Sequence, residues 1–371
     1  MSIQKLHDLP RTVAVIGIGL LLLLELISNF QSASTPAAST NENQPQQHAV
    51  ILQYHHISDT APASTSTSIK LFKQQLELIK TSGFSVWPLE KIIDALQHHK
   101  KMPLRVLALT FDDAYIDFYT HALPELKKYH WPATIFVPTK HISQHPTEFM
   151  SWQQLRAIHQ QNISLGSHSH SHNYLAREIA TTPSPEMQQL ISQDLMTSLK
   201  LLKQHSGQTT RLFAYPYGEY TEKLKQIVEK QGLVAFGQQS GPINAHSDFL
   251  ALPRFPASNQ FGQIDDLKIK LFTQPFSGLK TEPHEPITYN HRPELTLILE
   301  NHQNAELDLH CYASSLGEIP LLKTVQNNAV QYKTQIKKDL PAGRSRYNCT
   351  AESEKQFFYW FSQPWIILPE D

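Results

Sequence analysis

Short apolar runs alternate with amphipathic segments over the first two thirds of the chain. The runs are rich in β-branched and aromatic residues, which predicts buried strands at 49–54, 84–87, 106–111, 133–137, 163–166, 212–215 and 233–236. Apolar residues at helical spacing predict helices at 68–82, 89–99, 115–129, 151–160, 184–204 and 221–231. Strands that alternate with helices indicate a parallel α/β sheet, and this number of units favours a (β/α) barrel over 48–280.

Two of these helices carry a more detailed expectation. Pro124 is expected to bend the 115–129 helix or to mark its true start, because a proline in a helix interior removes one hydrogen bond. In the 184–204 helix, one apolar stripe is predicted to be buried, and it consists of Leu190, Ile191, Leu195, Leu199 and Leu202.

The pattern changes near Pro275. Few helical stripes follow, and apolar or alternating runs occur at 295–299, 306–312, 330–336 and 356–360. They predict a smaller all-β, sandwich-like module over 286–371. A cluster of aromatic residues near its end belongs either to the module core, which we favour, or to a sugar-stacking face; it comprises Phe357, Phe358, Tyr359, Trp360, Phe361 and Trp365.

The N-terminal segment predicts export. Lys5 and Arg11 precede an apolar run at 12–24, which is typical of a signal peptide over 1–30, with an uncleaved anchor in the inner membrane as the alternative. Residues 31–47 are rich in Ser, Thr, Ala, Pro, Asn and Gln and predict a disordered tether. A periplasmic or cell-envelope location follows. In that compartment Cys311 and Cys349 are expected to form a disulfide, with two free thiols as the alternative.

Charge narrows the range of partners. The 371 residues include 32 Lys and Arg and 33 Asp and Glu, a net charge of −1. This balance argues against nucleic acid as a partner and against a strongly basic membrane-binding face.

The candidate chemistry lies where predicted strands end. Asp112 and Asp113 follow the 106–111 run, and His168, His170 and His172 follow the 163–166 run. Adjacent carboxylates at a buried strand end are costly unless a cation pairs with them. One aspartate and two histidines make three ligands with an open fourth position, which is typical of catalytic zinc, and the second aspartate is then free to act as a base.

Three ordered motifs resemble those of a known family. Thr110–Asp113, His168-Ser169-x-x-His172 and Phe213–Gly218 are similar to the first three motifs of the polysaccharide deacetylases of carbohydrate esterase family 4, which share the NodB homology domain. Together with Tyr54–Ile57, they most resemble the branch that deacetylates poly-β-1,6-N-acetylglucosamine. The resemblance spans roughly 49–275 and implies a distorted (β/α) barrel.

The resemblance also implies roles for individual residues. Asp113, His168 and His172 would hold a divalent metal, with Zn²⁺ favoured and Ni²⁺, Co²⁺ or Fe²⁺ compatible, and Asp112 would be the catalytic base. The remaining expected roles concern the substrate and the surroundings of the metal: the backbone N–H of Tyr217 at the oxyanion, Pro216 and His55 beside the substrate, and Ser169 and Arg254 supporting the site.

The chain departs from the family pattern in three places. Ala214 stands where many members carry an arginine that contacts the catalytic aspartate. The fourth motif is matched only loosely by Asp248 and the 252–254 run, in which Arg254 either replaces that arginine or forms a structural salt bridge. The 297–302 run imitates the fifth motif but lies in the predicted β-module, so the imitation is interpreted as accidental. The general acid is then unassigned, with His55 as a candidate.

These observations predict an exported, metal-dependent N-deacetylase of an N-acetylglucosamine polymer, most similar to those acting on poly-β-1,6-N-acetylglucosamine. Such an enzyme would serve a biofilm or the cell envelope, with envelope or polysaccharide-export components as further partners. Two alternatives remain: a deacetylase of peptidoglycan or chitin-type oligomers, because specificity resides in loops, and a glycan-binding protein whose catalytic site has decayed.

Overall fold

A computed structural model describes residues 47–144, 147–159, 161–300, 307–326, 329–353 and 357–369. The predicted signal segment at 1–30, and all of the predicted tether at 31–47 except Gln47, lie outside these residues. Within the described ranges, no helix combines the length and the apolar character that crossing a bilayer requires.

Residues 48–256 form a curled, mostly parallel sheet and a separate two-stranded sheet of β2 and β3. The strands, in chain order, are β1 His48–Tyr54, β2 His56–Ile57, β3 Ser66–Thr67, β4 Ser85–Val86, β5 Val106–Phe111, β6 Ala133–Val137, β7 Ile163–Ser167, β8 Leu212–Ala214, β9 Val234–Phe236, β10 Ile243–Asn244 and β11 Phe255–Pro256.

The order of the strands gives a distorted, partly closed barrel, as predicted. The main path is β10-β1-β5-β6-β7-β8-β9, β4 pairs with β5, and only β10 joins its neighbour antiparallel. Leu252 forms a parallel bridge to Phe236 of β9, and Phe255 of β11 pairs with Leu52 of β1. The segment from 252 to 256 therefore curls the far edge of the sheet back toward its beginning.

Nine helices flank these strands within the described residues. They are α1 Ile69–Thr81, α2 Leu89–Gln97, α3 Leu123–Tyr129, α4 Thr139–Gln144, α5 Trp152–His159, α6 Leu175–Thr181, α7 Pro185–Ser206, α8 Glu222–Lys230 and α9 Ile264–Leu271. The side chains of Ser68, Ser184 and Thr221 cap α1, α7 and α8 by accepting a backbone N–H from the first turn of each helix.

The structure bears out one of the two alternatives for Pro124, which marks the start of α3, and it corrects the expectation about α7. The helix predicted over 115–129 is a π-helical turn at Phe118–Ala122 followed by α3, and Pro124 lies in the first turn of α3, where its missing N–H costs no helical hydrogen bond. Leu190 is 59% exposed, whereas Ile191 and Leu195 are buried, so the buried stripe of α7 is narrower than predicted.

The C-terminal region is all-β, as predicted. Its strands are β12 Leu279–Glu282, β13 Ile287–Thr288, β14 Glu294–Glu300, β15 Leu309–Ala313, β16 Gly317–Ile319, β17 Leu321–Gln326, β18 Ala329–Gln335, β19 Gly343–Glu352 and β20 Phe358–Ile367. They form two sheets, β12-β14-β18-β17 and β13-β20-β19-β15-β16. We call this region the β-module. Because β12 pairs with β14, the sheet of the β-module includes Leu279 and Lys280, which the sequence analysis placed in the barrel.

The two sheets share one apolar core. Leu297 of β14 and Tyr347 of β19 belong to the same buried cluster, as do Cys311 and Cys349. The two cysteines are cross-strand partners on β15 and β19, and they form a disulfide.

The aromatic residues of β20, and Phe357 just before it, lie in two different environments. Trp365 is buried in the core of the β-module. The ring of Trp360 packs edge-on against Phe255 of the barrel at 5.4 Å between centroids, and Phe357 stacks on Phe272 at 5.5 Å. Trp365 is therefore core, whereas Trp360 and Phe357 are half-buried in the contact between the β-module and the barrel.

A close contact between β6 and β7 fixes the approach to the histidine segment. Phe136 of β6 is the register partner of Gly166 on β7. A Cβ at Gly166 would lie 2.5 Å from two ring atoms of Phe136 and 3.2 Å from the carbonyl oxygen of Leu212. Residue 166 must therefore lack a side chain while Phe136 keeps its position.

Gly166→Ala is expected to lower the free energy of unfolding by about 1–3 kcal/mol, because the added methyl group overpacks the barrel against Phe136. Urea denaturation followed by far-ultraviolet circular dichroism measures the change. The double variant Gly166→Ala/Phe136→Leu should lose less stability than the sum of the losses in the two single variants, because the smaller side chain at 136 makes room for the added methyl group. Strictly additive losses, or an alanine variant as stable as the wild type, would contradict this packing.

Candidate active site

Two consecutive carboxylates occupy a sharp turn at the end of β5. Asp112 is fully buried and Asp113 is 8% exposed. Asp113 and Ala114 have φ angles of 71° and 58°, in the left-handed region that non-glycine residues seldom adopt. Such strain persists only where the surroundings hold it, and it occurs most often at functional sites.

Asp112 is held by a buried bidentate ion pair. Arg254 donates from Nη1 to Oδ1 at 2.7 Å and from Nη2 to Oδ2 at 2.9 Å, and Gln53 donates to Oδ2 at 2.7 Å. Arg254 is itself fully buried, and its Nε donates to the carbonyl oxygen of Gly237 at 2.9 Å. Its guanidinium lies over the ring of Phe136, 5.2 Å from the centroid.

This pairing sets the charge state of Asp112. Burial alone raises the pKa of the carboxyl, but Arg254, together with the nearby imidazoles of His168 and His55, outweighs burial and lowers the pKa to about 2. Asp112 is therefore an ionised proton acceptor at neutral pH. Three of its roughly four lone-pair positions already accept hydrogen bonds, which leaves room for one more donor.

The histidine segment follows β7 and directs two ring nitrogens at Asp113. His168 is 1% exposed, and its Nδ1 lies 2.8 Å from the carbonyl oxygen of Ala214. Because a carbonyl only accepts, Nδ1 carries the proton and Nε2 presents its lone pair. Nε2 of His168 lies 3.4 Å from Oδ1 of Asp113, and Nε2 of His172 lies 3.2 Å from the same oxygen.

The protonation states suit metal ligands. Burial lowers the pKa of His168 to about 4, so its imidazole is neutral near pH 7. Burial raises the pKa of Asp113, but its contact with His172 and the neighbouring imidazoles outweigh burial, so the carboxyl titrates below its usual range. A neutral imidazole and an ionised carboxylate are the forms that bind metals.

These three residues fit a divalent metal. Their candidate ligand atoms all lie within 4.8 Å of one another. Oδ1 of Asp113 is buried and, within the described part of the chain, has no hydrogen-bond partner. An unpaired buried carboxylate oxygen is costly, and a cation shared with the two imidazoles would remove that cost.

Local hydrogen bonds hold the histidine segment in shape. Oγ of Ser169 accepts the N–H of His172 at 2.8 Å. Asp194 of α7 accepts the N–H groups of His170 and Ser171 at 2.8 and 2.9 Å. Asp194 could not be found from the sequence, because a single acidic residue within a helix resembles any solvated position.

The 216–218 turn lies beside His172. Tyr217 has φ 61° and ψ 3°, its hydroxyl donates to the carbonyl oxygen of His172 at 3.3 Å, and its ring stacks on Tyr174 at 3.9 Å between centroids. Pro216 is buried beneath the turn and is not among the described residues that line the cleft over the site. Of the three residues in the turn, Tyr217 and Gly218 line the cleft.

The two histidines after β1 have separate environments. Nε2 of His55 lies 3.8 Å from Oδ2 of Asp112, too far for a hydrogen bond, and His55 lines the cleft. His56 instead contacts Asp117 at 2.6 Å and stacks on Tyr115 at 3.6 Å between centroids. Of the pair, His55 is the one that can approach a substrate.

The cleft over the site has a volume of about 870 Å³ and is lined by the barrel and the β-module together. The barrel contributes Tyr115, Tyr217 and Phe261, and β19 contributes Arg344 and Arg346. Sequence reasoning missed both arginines because β19 was not predicted.

The departures from the family pattern have structural outcomes. Arg254 lies beside Asp112, so an arginine contacts this carboxylate although position 214 is alanine. Asp248 pairs with Lys225 at 2.6 Å on the surface and does not reach the site. Leu297–Glu300 lie in β14 of the β-module, and Asn301 and His302 are outside the described residues.

Comparison with known proteins agrees with this geometry. A family model described as polysaccharide deacetylase matches residues 99–236, which contain both aspartates and the histidine segment. Poly-β-1,6-N-acetyl-D-glucosamine N-deacetylase of Staphylococcus epidermidis is 26% identical over 262 residues, covering 64% of this chain and 90% of that protein. The Escherichia coli K12 enzyme of the same name is 23% identical over 284 residues, and this chain spans only 42% of its length.

A solved structure is similar to this chain over a comparable fraction of its length. The Streptococcus pyogenes deacetylase PplD, in complex with acetate, superposes with a TM-score of 0.55 and 27% identity, covering 61% of this chain and 99% of that one. The barrel, its strand-end carboxylates and these matches define a hydrolase of the deacetylase class. Residues 99–236 carry the polysaccharide deacetylase domain that the family model describes, and the chain is similar to these deacetylases.

Arg254→Met is expected to destabilise the protein by about 3 kcal/mol at pH 7, because it leaves the Asp112 charge buried and unpaired. Without Arg254, burial raises the pKa of Asp112 above its unfolded value, so the carboxyl becomes protonated as the pH falls. The difference in the free energy of unfolding between the variant and the wild type should therefore become smaller as the pH is lowered from 7 to 4, as measured by urea denaturation. Arg254→Lys, which keeps the charge, should lose less, and a pH-independent difference would contradict the assignment.

Proposed function

We propose that this protein is a metal-dependent N-deacetylase of poly-β-1,6-N-acetylglucosamine. The observation that carries the proposal is the buried Oδ1 of Asp113, which accepts no hydrogen bond within the described residues and has the Nε2 atoms of His168 and His172 facing it at 3.4 and 3.2 Å. The ionised carboxylate of Asp112 adjoins this group. A cation-binding cluster beside a fixed proton acceptor is the arrangement that metal-dependent amide hydrolysis uses.

Asp113, His168 and His172 would hold the ion. Zn²⁺ is the ion we propose, because two imidazoles, one carboxylate and an open position suit it, although this ligand set also accepts Ni²⁺, Co²⁺ or Fe²⁺. A divalent ion bound there supplies Lewis acidity, which polarises an acetamide carbonyl and makes water a stronger nucleophile near neutral pH.

The chain's own groups would complete the reaction. Asp112 accepts the proton of the attacking water, and Arg254 keeps its carboxylate oriented and ionised. The backbone N–H of Tyr217 would donate to the developing oxyanion. His55, which lines the cleft near Asp112, is the candidate donor to the leaving amine.

The substrate assignment rests on the relatives. The S. epidermidis and E. coli proteins are both named for poly-β-1,6-N-acetyl-D-glucosamine, and the first is matched over 90% of its length. Deacetylation would convert neutral acetamides to amines that are cationic near pH 7, which favours adhesion of the polymer to anionic surfaces in a biofilm or envelope. Peptidoglycan and chitin-type oligomers are the competing substrates, because the metal cluster itself does not distinguish among them.

We further propose that the protein acts outside the cytoplasm, in the periplasm or cell envelope. The disulfide between Cys311 and Cys349 supports this location, because such bonds persist in oxidising compartments. In this proposal residues 1–30 direct export or anchor the chain, 31–47 form a tether, and the barrel and the β-module follow. Polysaccharide-export components would be its envelope partners.

Substitution of the two aspartates should separate metal binding from turnover. Asp113→Ala is expected to abolish both Zn²⁺ binding, measured by calorimetry, and acetate release, because it removes a ligand. Asp112→Asn should retain Zn²⁺ binding and lose at least about a hundredfold in kcat, because an amide cannot accept the proton. Acetate release that persists in both variants would reject the mechanism.

The polymer can be identified by comparing substrates. The zinc-loaded wild type is expected to release acetate fastest from β-1,6-linked N-acetylglucosamine oligomers, compared with chitin oligomers and peptidoglycan at equal acetamide concentration. A chelator should stop the reaction, and excess Zn²⁺ should restore it. Faster release from peptidoglycan or chitin oligomers would reassign the substrate, and polymer binding without any release would indicate a glycan-binding protein.

A further inference from the structure

We propose that Arg344 of the β-module positions the 216–218 turn, so that the β-module is part of the active site. This inference rests on the proposed function, because it concerns the turn whose Tyr217 N–H is assigned to the oxyanion. The family match ends at residue 236, so nothing in it gives the β-module a role.

The first support is a direct hydrogen bond. Nη1 of Arg344 donates to the backbone carbonyl oxygen of Tyr217 at 2.9 Å. That carbonyl belongs to the peptide joining Tyr217 to Gly218, both of which have positive φ. A left-handed pair in which one residue is a tyrosine is unfavourable on its own, so contacts from outside the turn must hold it.

The second support is a shared neighbour, Gln238. A Cβ on Gly218 would lie 2.5 Å from Cβ and Cγ of Gln238, so the turn is packed directly against this residue. Arg344 donates to Oε1 of Gln238 at 3.4 Å, and Arg346 donates to its carbonyl oxygen at 3.3 Å. Two arginines of one strand therefore hold the turn and the residue against which it packs.

The third support is the charge around the turn. Glu219, which is 2% exposed, accepts two hydrogen bonds from Arg177, and Nε of Arg344 lies 3.9 Å from the same carboxylate. Arg177 lies over the ring of Tyr174, which stacks on Tyr217. The turn therefore contacts Tyr174 on the barrel side, through the ring of Tyr217, and Arg344 on the side of the β-module.

The pattern of β19 explains why its arginines reach the barrel. Ser345, Tyr347 and Cys349 are buried on the face directed into the β-module, and the alternate residues Arg344 and Arg346 extend from the other face. A one-residue shift of β19 would reverse the two faces, and the disulfide from Cys349 to Cys311 prevents such a shift. Arg344 is therefore presented to Tyr217 by a rigid sheet.

The test compares Arg344→Ala and Arg344→Lys with Arg292→Ala in the full-length, zinc-loaded protein. Arg292 belongs to the same β-module, but it forms an exposed ion pair with Asp339, so its loss controls for a general effect on the β-module. Arg344→Ala should lower kcat about ten- to a hundredfold while KM changes less than about threefold, because misplaced catalytic groups act on the reaction step. Arg344→Lys should recover part of kcat, and Arg292→Ala should match the wild type.

A second measurement is independent of turnover. In protein with ¹³C-labelled tyrosine rings, the Tyr217 resonance, assigned by its loss in Tyr217→Phe, should shift or broaden in Arg344→Ala and not in Arg292→Ala. Wild-type kcat in Arg344→Ala, or a kcat loss matched by a fall in Tm, overturns the inference, as does an unchanged resonance. If the wild type releases no acetate from any of the polymers, the proposed function fails, and the resonance alone decides whether Arg344 positions the turn.

Discussion

The buried pair between Asp112 and Arg254 is the constraint on which the active site depends. A carboxylate at the end of a fully buried strand is tolerated only when it is paired and hydrogen-bonded. Arg254 provides the pairing in bidentate form, and Gln53 supplies a further hydrogen bond. Because Arg254 also bonds to Gly237 and lies over Phe136, one guanidinium links the carboxyl ends of β5, β6 and β9. Because Arg254 pairs with Asp112 and not with Asp113, the carboxylate of Asp113 is available to bind a cation.

The central strands and the metal cluster were predictable for one physical reason. Strands β5 and β6 are buried on both faces, so their sequences are nearly continuous apolar runs that end abruptly, and β7 is a shorter run in which Ile163 and Leu165 are buried. Parallel strands align their carboxyl ends, so polar residues directly after such runs meet in space. Asp113, His168 and His172 follow this rule. The contact of Arg254 with Asp112 could be proposed but not decided from sequence, because it joins residues 142 positions apart.

The parts that were missed lack an apolar signal. Strand β19 buries Ser345, Tyr347, Cys349 and Ala351, of which only the tyrosine is large, so its alternation was hidden and the role of Arg344 with it. Helices α4, α6 and α9 have six to eight residues, too few for a helical period to stand out. The error at Leu190 is the opposite one, because this residue was placed in the buried stripe of α7 but is exposed. An apolar residue at the edge of a stripe can still face solvent.

The contact of Gly166 with Phe136 has an evolutionary consequence. Phe136 supports the guanidinium of Arg254 through its ring face, and it occupies the space that a side chain at position 166 would need. A lineage could accept a larger residue at 166 only by shrinking residue 136, which would remove the aromatic surface under the arginine. Positions 136 and 166 are therefore constrained together, and Arg254, which lies beside Asp112, ties this pair of positions to the candidate active site.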